Sequence, residues 1–320
     1  MPEEVIDYGD GSKERPFVID NADRLEEYMN IYKDAAQPTD KDKFKFYACM
    51  IADVDASGIT WTPLNAGGNF YKAIDFDGKG HTISNLTASG TYASFAGVLY
   101  GSVRNVTFSN ATINGGSANC GVVAGFLGTN GLPGSCENVV VTNSTVTGTR
   151  YVGGFAGVAR TTGNVTGCRV ENTTLTSTSY IAGFAAYVDL GSEDKYEVPA
   201  IFRDCHVSDV TINQNNTAGG DIYTAGFVGY TSYGSSFIDC SVKATIIANK
   251  NNAADKTLND VGGFLGRSAS TMGPTCINSH VLAGTTIPAK ATRVGGFVGY
   301  SEVATTYNGC SSAAVITNAG

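Results

Sequence analysis

The sequence predicts an all-β chain wound as a parallel β-helix, a solenoid with an N-terminal helical cap, and three observations carry that expectation. Residues 81–320 consist mainly of Gly, Thr, Ser, Asn, Ala and Val, which suits many short strands joined by turns rather than helices. A small-small-Phe-x-Gly unit recurs at Ser94-Phe95-Ala96-Gly97, Gly125-Phe126-Leu127-Gly128, Gly154-Phe155-Ala156-Gly157, Gly226-Phe227-Val228-Gly229, Gly263-Phe264-Leu265-Gly266 and Gly296-Phe297-Val298-Gly299, with a degenerate copy at Gly183-Phe184-Ala185-Ala186. After each comes an apolar residue, any residue, then Asn, Asp or Gly and a second apolar strand, as in Phe202-Arg203-Asp204-Cys205-His206-Val207 and Phe237-Ile238-Asp239-Cys240-Ser241-Val242.

The Phe of the first unit is the inward residue of each circuit, and the flanking Gly residues let neighbouring coils approach. In the second unit the third position accepts a left-handed backbone with little strain, so two short strands meet there at a corner. The corner residues are Asn105, Asn138, Gly167, Asp204, Asp239, Asn278 and Gly309, and Asn85 reads as an eighth copy. Spacings of about 20 to 39 residues fit one circuit of a three-sided coil with loops of variable length. About seven to eight coils at ~4.8 Å each make a rod on the order of 35 to 40 Å long.

The organisation divides near residue 80. Residues 1–80 hold 9 Lys/Arg and 16 Asp/Glu, against 12 and 13 in the other 240 residues, so charge density falls threefold there. Leu25, Tyr28, Met29 and Tyr32 recur at helical spacing behind the N-cap pair Asp20-Asn21. Residues 1–80 are therefore expected to form a capping segment with one amphipathic helix and the first coil, and residues 81–320 the β-helix. A polar cap suits a solenoid because a bare terminal coil exposes unpaired strand edges.

Composition also limits partners. A net charge of −8 offers no basic stripe for nucleic acid or an anionic membrane. No apolar run reaches the ~18 residues of a membrane span, and Met1-Pro2-Glu3-Glu4 lacks the basic and apolar regions of an export signal. Cys168, Cys205, Cys240 and Cys310 share a slot with Leu86, Val106, Val139 and Ser279, while Cys136 and Cys276 share one with Val103 and Phe202. These cysteines read as small apolar residues, with Cys49 and Cys120 outside the ladder. No Cys-x-x-Cys or His-Glu-x-x-His spacing supports a zinc site, and no metal or cofactor is expected. His206 and His280 share an outward position and read as solvent-facing.

Two carboxylate pairs have the ingredients of acid/base chemistry. Asp204 and Asp239 stack on consecutive corners, where Asn and Gly substitute, so a turn role is preferred. Asp75 and Asp77 alternate around Phe76 and read as a strand end. The segment Tyr187 to Pro199 lengthens one circuit and concentrates Tyr187, Asp189, Glu193, Asp194, Tyr196 and Glu197. Carboxylates beside aromatic rings suit sugar contact, oxygen ligands suit calcium, and a solvated loop needs neither. Insertions at Asn213 to Asp221 and Ala248 to Asp260 are expected side by side, as a broad lateral surface.

The Gly-Phe-x-Gly units followed by an Asn/Asp-Cys-x-Val strand resemble the GLUG repeat of streptococcal immunoglobulin-A metallopeptidases and of surface proteins of gut Bacteroidetes. The start is similar too, in Gly9-Asp10-Gly11-Ser12, Pro16-Phe17-Val18-Ile19, Trp61-Thr62-Pro63-Leu64 and Phe76-Asp77-Gly78-Lys79-Gly80-His81-Thr82-Ile83. The resemblance covers residues 9 to 317, with Phe in place of the usual Leu. It implies a right-handed β-helix in a secreted or cell-surface protein whose export signal has been removed, and it supplies no catalytic residues. The expected function is a noncatalytic, adhesin-like surface module contacting glycans or host and bacterial surface proteins. The alternative is a polysaccharide-cleaving lyase or hydrolase on the same scaffold, supported by fold analogy alone.

Overall fold

Short β-strands and one helix build the molecule, seen in a computed structural model that describes residues 6–36, 38–40, 44–66, 71–129, 131–160, 163–189, 200–216, 221–248, 258–269, 272–288 and 291–317. One circuit shows the plan. Asn164–Thr166 leads to a corner at Gly167, Arg169–Glu171 to a second corner at Asn172, and Thr174–Ser177 to a turn before Tyr180–Ala182 and Ala185–Asp189. Strands of successive circuits pair in parallel, giving a broad sheet that holds both corners, a sheet of seven strands and a sheet of five, in about eight turns of solenoid. The first column stacks Phe17, Ala48, Phe76, Val103, Cys136, Val165, Phe202, Phe237, Cys276 and Tyr307 in register, passing without a break across residue 80.

The corners are left-handed as their residue types require, with φ between 45° and 66° at Asn105, Asn138, Gly167, Asp204, Asp239, Asn278 and Gly309. Their side chains form a second ladder: the Asn138 amide donates to Asn105 Oδ1 and that of Asn278 to Asp239 Oδ1, each at 3.2 Å. Asn85 belongs elsewhere. Ile83 pairs with Phe108 and Ser84 with Ser109, so Asn85 stands under Asn110 at the other corner, followed by Asn143, Asn172 and Asp209. Leu86 accordingly leaves the cysteine slot. Both corners favour Asn for the same backbone reason, so the residue type alone does not say which corner it marks.

Inside the coil the Phe column is continuous from Phe155 through Phe184, Phe227 and Phe264 to Phe297, with ring centroids 4.6 to 5.0 Å apart and planes within 14° of parallel. Phe202 and Phe237 cross it edge-on at 5.8 and 5.9 Å from Phe184 and Phe227. The glycine before each Phe is set by close approach: a Cβ on Gly183 would lie 2.1 Å from the Gly226 carbonyl oxygen and 2.7 Å from Val207.

One expected member is missing from this column. Ala124 pairs with both Ala96 and Ala156, which puts Val123 in the Phe slot and Phe126 opposite Val98 and Val158 on the outer face. Phe126 is half-buried there, edge-on to Tyr92 at 5.3 Å. The sequence Val122-Val123-Ala124-Gly125-Phe126-Leu127-Gly128 offers two frames, and the strand ladder selects the first.

Helix Ala22–Asp34 closes the amino-terminal end. Asn21 caps it by accepting the Arg24 amide at 3.0 Å, and Leu25, Tyr28, Met29 and Tyr32 are buried. Tyr28 meets Phe17, Phe46 and Phe76 at 6.3, 6.1 and 5.7 Å, so the helix seats on the first rings of the column. Buried Lys72 donates to the carbonyls of Tyr32 and Ala35 at 2.5 and 2.6 Å, neutralising the helix's negative end.

The eight cysteines are free thiols, six of them buried, with Cys49 and Cys310 half-buried. Burial pushes the Cys205 and Cys240 thiols well up. Phe155→Ala is expected to cost about 3 to 5 kcal/mol, while Phe126→Ala, outside the column, costs distinctly less. Paired urea titrations measure both, and equal costs would overturn the assigned frame.

Candidate functional site

Four residues before each Phe of the column and three after it, side chains lie on the outer side of the sheets, and these two positions build a strip in which Val158, Tyr223 and Asp260 are buried and the others are half-buried. The leading position carries Tyr151, Tyr180, Tyr223, Asp260 and Arg293 on five paired strands. Because Tyr180–Ala182 pairs with the next strand through Ile181 and Thr224, Tyr180 stands over Tyr223. The trailing position carries Phe126, Val158, Tyr187, Tyr230, Arg267 and Tyr300 on six. Rings touch along each row, with centroids 4.9 Å apart for Tyr151 and Tyr180, 4.6 Å for Tyr180 and Tyr223, and 5.1 Å for Tyr187 and Tyr230. They touch across the rows as well: Tyr151 stacks on Tyr187 at 5.4 Å and Tyr223 on Tyr230 at 5.1 Å.

Tyr223 is buried, while Tyr151, Tyr180, Tyr187, Tyr230 and Tyr300 are half-buried. Burial pushes the Tyr180 and Tyr187 hydroxyls up, and Tyr223, which Arg267 partly offsets, to about 12. All three therefore remain neutral hydrogen-bonding hydroxyls at physiological pH. Arg293 lies 3.6 Å from the Tyr300 ring centre and Arg267 5.0 Å from that of Tyr223, extending the aromatic surface with guanidinium planes. Asp260, wholly buried, holds Arg293 at 2.5 Å, and Arg267 also pairs with Glu302. Burial raises the Asp260 carboxyl against the pull of these two arginines.

The expected site residues divide three ways. Tyr187 lies in the strip. Asp189 ends the same strand, Ala185–Asp189, rather than opening a loop; it is buried, accepts Ser232 Oγ at 2.9 Å and pairs with Arg160 at 3.1 Å. Strand pairing with Tyr230 and Thr231 extends β-structure further than the composition indicated. Glu193, Asp194, Tyr196 and Glu197 lie outside the described residues. The two expected insertions are also shortened by strands, since Asn213 ends within His206–Gln214, Ala248 closes Ser241–Ala248, and Asp260 sits in Leu258–Gly262. The rest of the strip was missed because its signal, Tyr or Arg at fixed offsets from Phe, becomes visible only once the Phe column sets the frame.

No protein-family model matches the chain. Its structure is similar to that of a Bacteroides ovatus protein provisionally assigned as an immunoglobulin A1 protease, with a TM-score of 0.66 and 25% identity over 97% of this chain and 79% of that one. A structure of IgA1 protease aligns over 90% of this chain and 21% of its own, at 13% identity and a TM-score of 0.45. Halomucin of Haloquadratum walsbyi is 32% identical over 161 residues, 45% of this chain and 2% of halomucin. This chain thus spans a small fraction of the curated relative it matches.

Three other constellations have the ingredients of chemistry. Asp204 Oδ1 meets His206 Nε2 at 2.9 Å, and His206 Nδ1 meets Ser241 Oγ at 2.8 Å on the next coil. The alignment is that of an acid, a base and a nucleophile, but an oxyanion needs donors beside the serine. There the Ser241 amide donates to the Cys205 carbonyl and the Cys240 amide to Ser279 Oγ, so the strand ladder engages both. His280 repeats the contact to Ser311 at 2.9 Å, beside Asn278 instead of an acid.

The third constellation lines a groove of about 670 Å³ across the first coils, with Lys45, Asp75, Arg104 and Glu137 on its walls. Arg104 bridges Asp75 at 2.7 Å and Asp77 at 3.2 Å, and Lys45 and Lys79 add 3.6 and 3.3 Å contacts. Among the described residues no group of three or more His, Cys, Asp or Glu is placed to hold a metal ion. No described helix is long and apolar enough to cross a membrane.

Burial raises Asp77, but hydrogen bonds from Asn105 and Lys79, with the Arg104 charge, outweigh it and hold the carboxyl below 3.8. A depressed carboxylate contributes stability above its unfolded pKa and loses it as pH falls through the folded value. Arg104→Ala should therefore move the acid-unfolding midpoint to higher pH, read by circular dichroism between about pH 2 and 5. An unmoved midpoint would remove this network from the account. Asp189→Ala, which leaves Arg160 without its carboxylate, should cost about 1.5 to 3 kcal/mol in thermal or urea unfolding.

Proposed function

We propose that this chain is a noncatalytic, surface-associated solenoid module of a secreted or cell-surface protein, contacting glycans through its tyrosine strip. The observation that carries the reading is the strip itself: neutral, half-buried tyrosines repeated on successive coils with guanidinium groups at both ends. Aromatic rings supply apolar faces for pyranose rings, and phenol and guanidinium groups supply hydrogen bonds for hydroxyls, at little cost in side-chain entropy. The similarity to the provisionally assigned Bacteroides ovatus immunoglobulin A1 protease and to halomucin supports a surface setting. The Gly-Phe-x-Gly periodicity supports membership of the GLUG-type repeats, with Phe as the buried residue.

The lyase or hydrolase reading draws its support from the groove at Asp75, Asp77 and Arg104. Two observations weigh against it: both carboxylates are engaged by Arg104, and neither amide beside Ser241 is available to an oxyanion. Incubation with a panel of host, bacterial and plant glycans, read by both a binding signal and the appearance of reducing ends or unsaturated products, tests the two readings together. Binding without products is expected, and the double variant Tyr180→Ala/Tyr230→Ala should weaken it by more than about tenfold. Cleavage of any polymer would overturn the noncatalytic reading. Binding confined to protein ligands would replace the glycan by a protein partner.

A further inference from the structure

Resting on the glycan reading, we infer that the ligand is a neutral, linear, extended polysaccharide that lies parallel to the rod axis, with about one sugar over each coil. The inference comes from the period of the strip. Its rings repeat at 4.9, 4.6 and 5.1 Å along the rows, which is the strand spacing of ~4.8 Å that the backbone ladder imposes. A β-1,4-linked chain of pyranoses in its extended form advances by a comparable step per sugar. A ligand of that shape can meet equivalent groups on coil after coil, whereas an α-linked glucan that curls into a helix leaves the strip after one or two.

Length and charge narrow the ligand further. The trailing positions run over six paired strands from Phe126 to Tyr300, five strand spacings or about 24 Å, and with half-buried Tyr151 serving the coil where Val158 is buried they offer room for roughly six sugars in register. Four guanidinium groups border the strip, Arg150, Arg160, Arg267 and Arg293. Among the described residues four carboxylates balance them: Asp189 on Arg160, Asp260 on Arg293, Glu302 on Arg267, and Asp221 beside Tyr223. A surface with cations answered by anions gives a polyuronate or a sulfated chain no net attraction, and it suits a ligand whose polar groups are hydroxyls and amides.

Calorimetric titration of the full chain with cello- and chito-oligosaccharides from two to six sugars tests this, with maltohexaose as the curled control. Affinity should climb with each sugar, by roughly tenfold or more from the disaccharide to the hexasaccharide, and should change less than about twofold between 50 and 500 mM salt. Tyr180→Ala, in mid-strip, should cut hexasaccharide affinity and flatten the length series; Tyr230→Ala serves the same purpose where the first variant fails to fold. A plateau at the disaccharide, or maltohexaose binding as tightly as its β-linked counterparts, would overturn the axial arrangement while leaving glycan binding in place. Affinity for acidic polymers that collapses with salt would overturn the neutral ligand. Silence toward every glycan, in a chain shown by circular dichroism to be folded, would overturn the underlying reading as well.

Discussion

The in-register parallel ladder between coils is the constraint on which the rest depends. Once the backbone of one coil hydrogen-bonds to the next without slippage, each residue sits about one strand spacing from its counterpart, and like stacks on like. Inside, this turns repeated phenylalanines into a column of nearly parallel rings. At the corners it turns repeated Asn and Asp into a ladder of side-chain hydrogen bonds. Outside, it turns tyrosines from separate circuits into one surface. The same physical rule produces the core, the edges and the candidate site.

Much of the architecture was legible because burial and backbone conformation each admit few residue types. A left-handed corner selects Asn, Asp or Gly, and a closely approached strand end selects Gly, so their recurrence gave both the fold and most of its register. The helix was legible as well: all four of its periodic apolar residues are buried, and Asn21 caps it. The failures share a cause. Asn85 and Phe126 carry the right residue in the wrong slot, since two corners accept Asn and two frames of one segment accept an inner apolar residue. Register is a property of pairs of coils, and a single segment does not contain it.

The site was harder to read for a related reason. Acidic residues clustered along the sequence drew attention to the segment after Tyr187, where Asp189 instead closes a strand and neutralises Arg160. Tyr151, Tyr180, Tyr223 and Tyr230 are scattered along 80 residues, and nothing in their immediate neighbours distinguishes them. Folding converts a sequence offset from Phe into a spatial row, so sites of this kind belong to the solenoid as a whole. Conversely, Asp204, His206 and Ser241 are aligned like a catalytic set by the same stacking that occupies the amides around them. In a ladder of repeated polar residues, good pairwise geometry arises without any chemical task.

Val123, which takes the ring position in the inner Phe column, divides the stacked rings. Beyond Phe95 and Phe108, whose rings lie 5.1 Å apart, the interior up to Phe155 is lined by Ile113, Val122, Val123, Cys136, Val139, Val141 and Val146, and no inner ring contact among the described residues bridges that interval. The inner rings thus fall into two groups, one around the capping helix, Trp61, Phe95 and Phe108, the other running uninterrupted from Phe155 onward. The aliphatic coil between them is held by the backbone ladder instead, with Gly101–Ser109 paired in register to Gly134–Thr142, and the tyrosines of the strip all lie on coils of the second group, so an unbroken stack of rings runs beneath them.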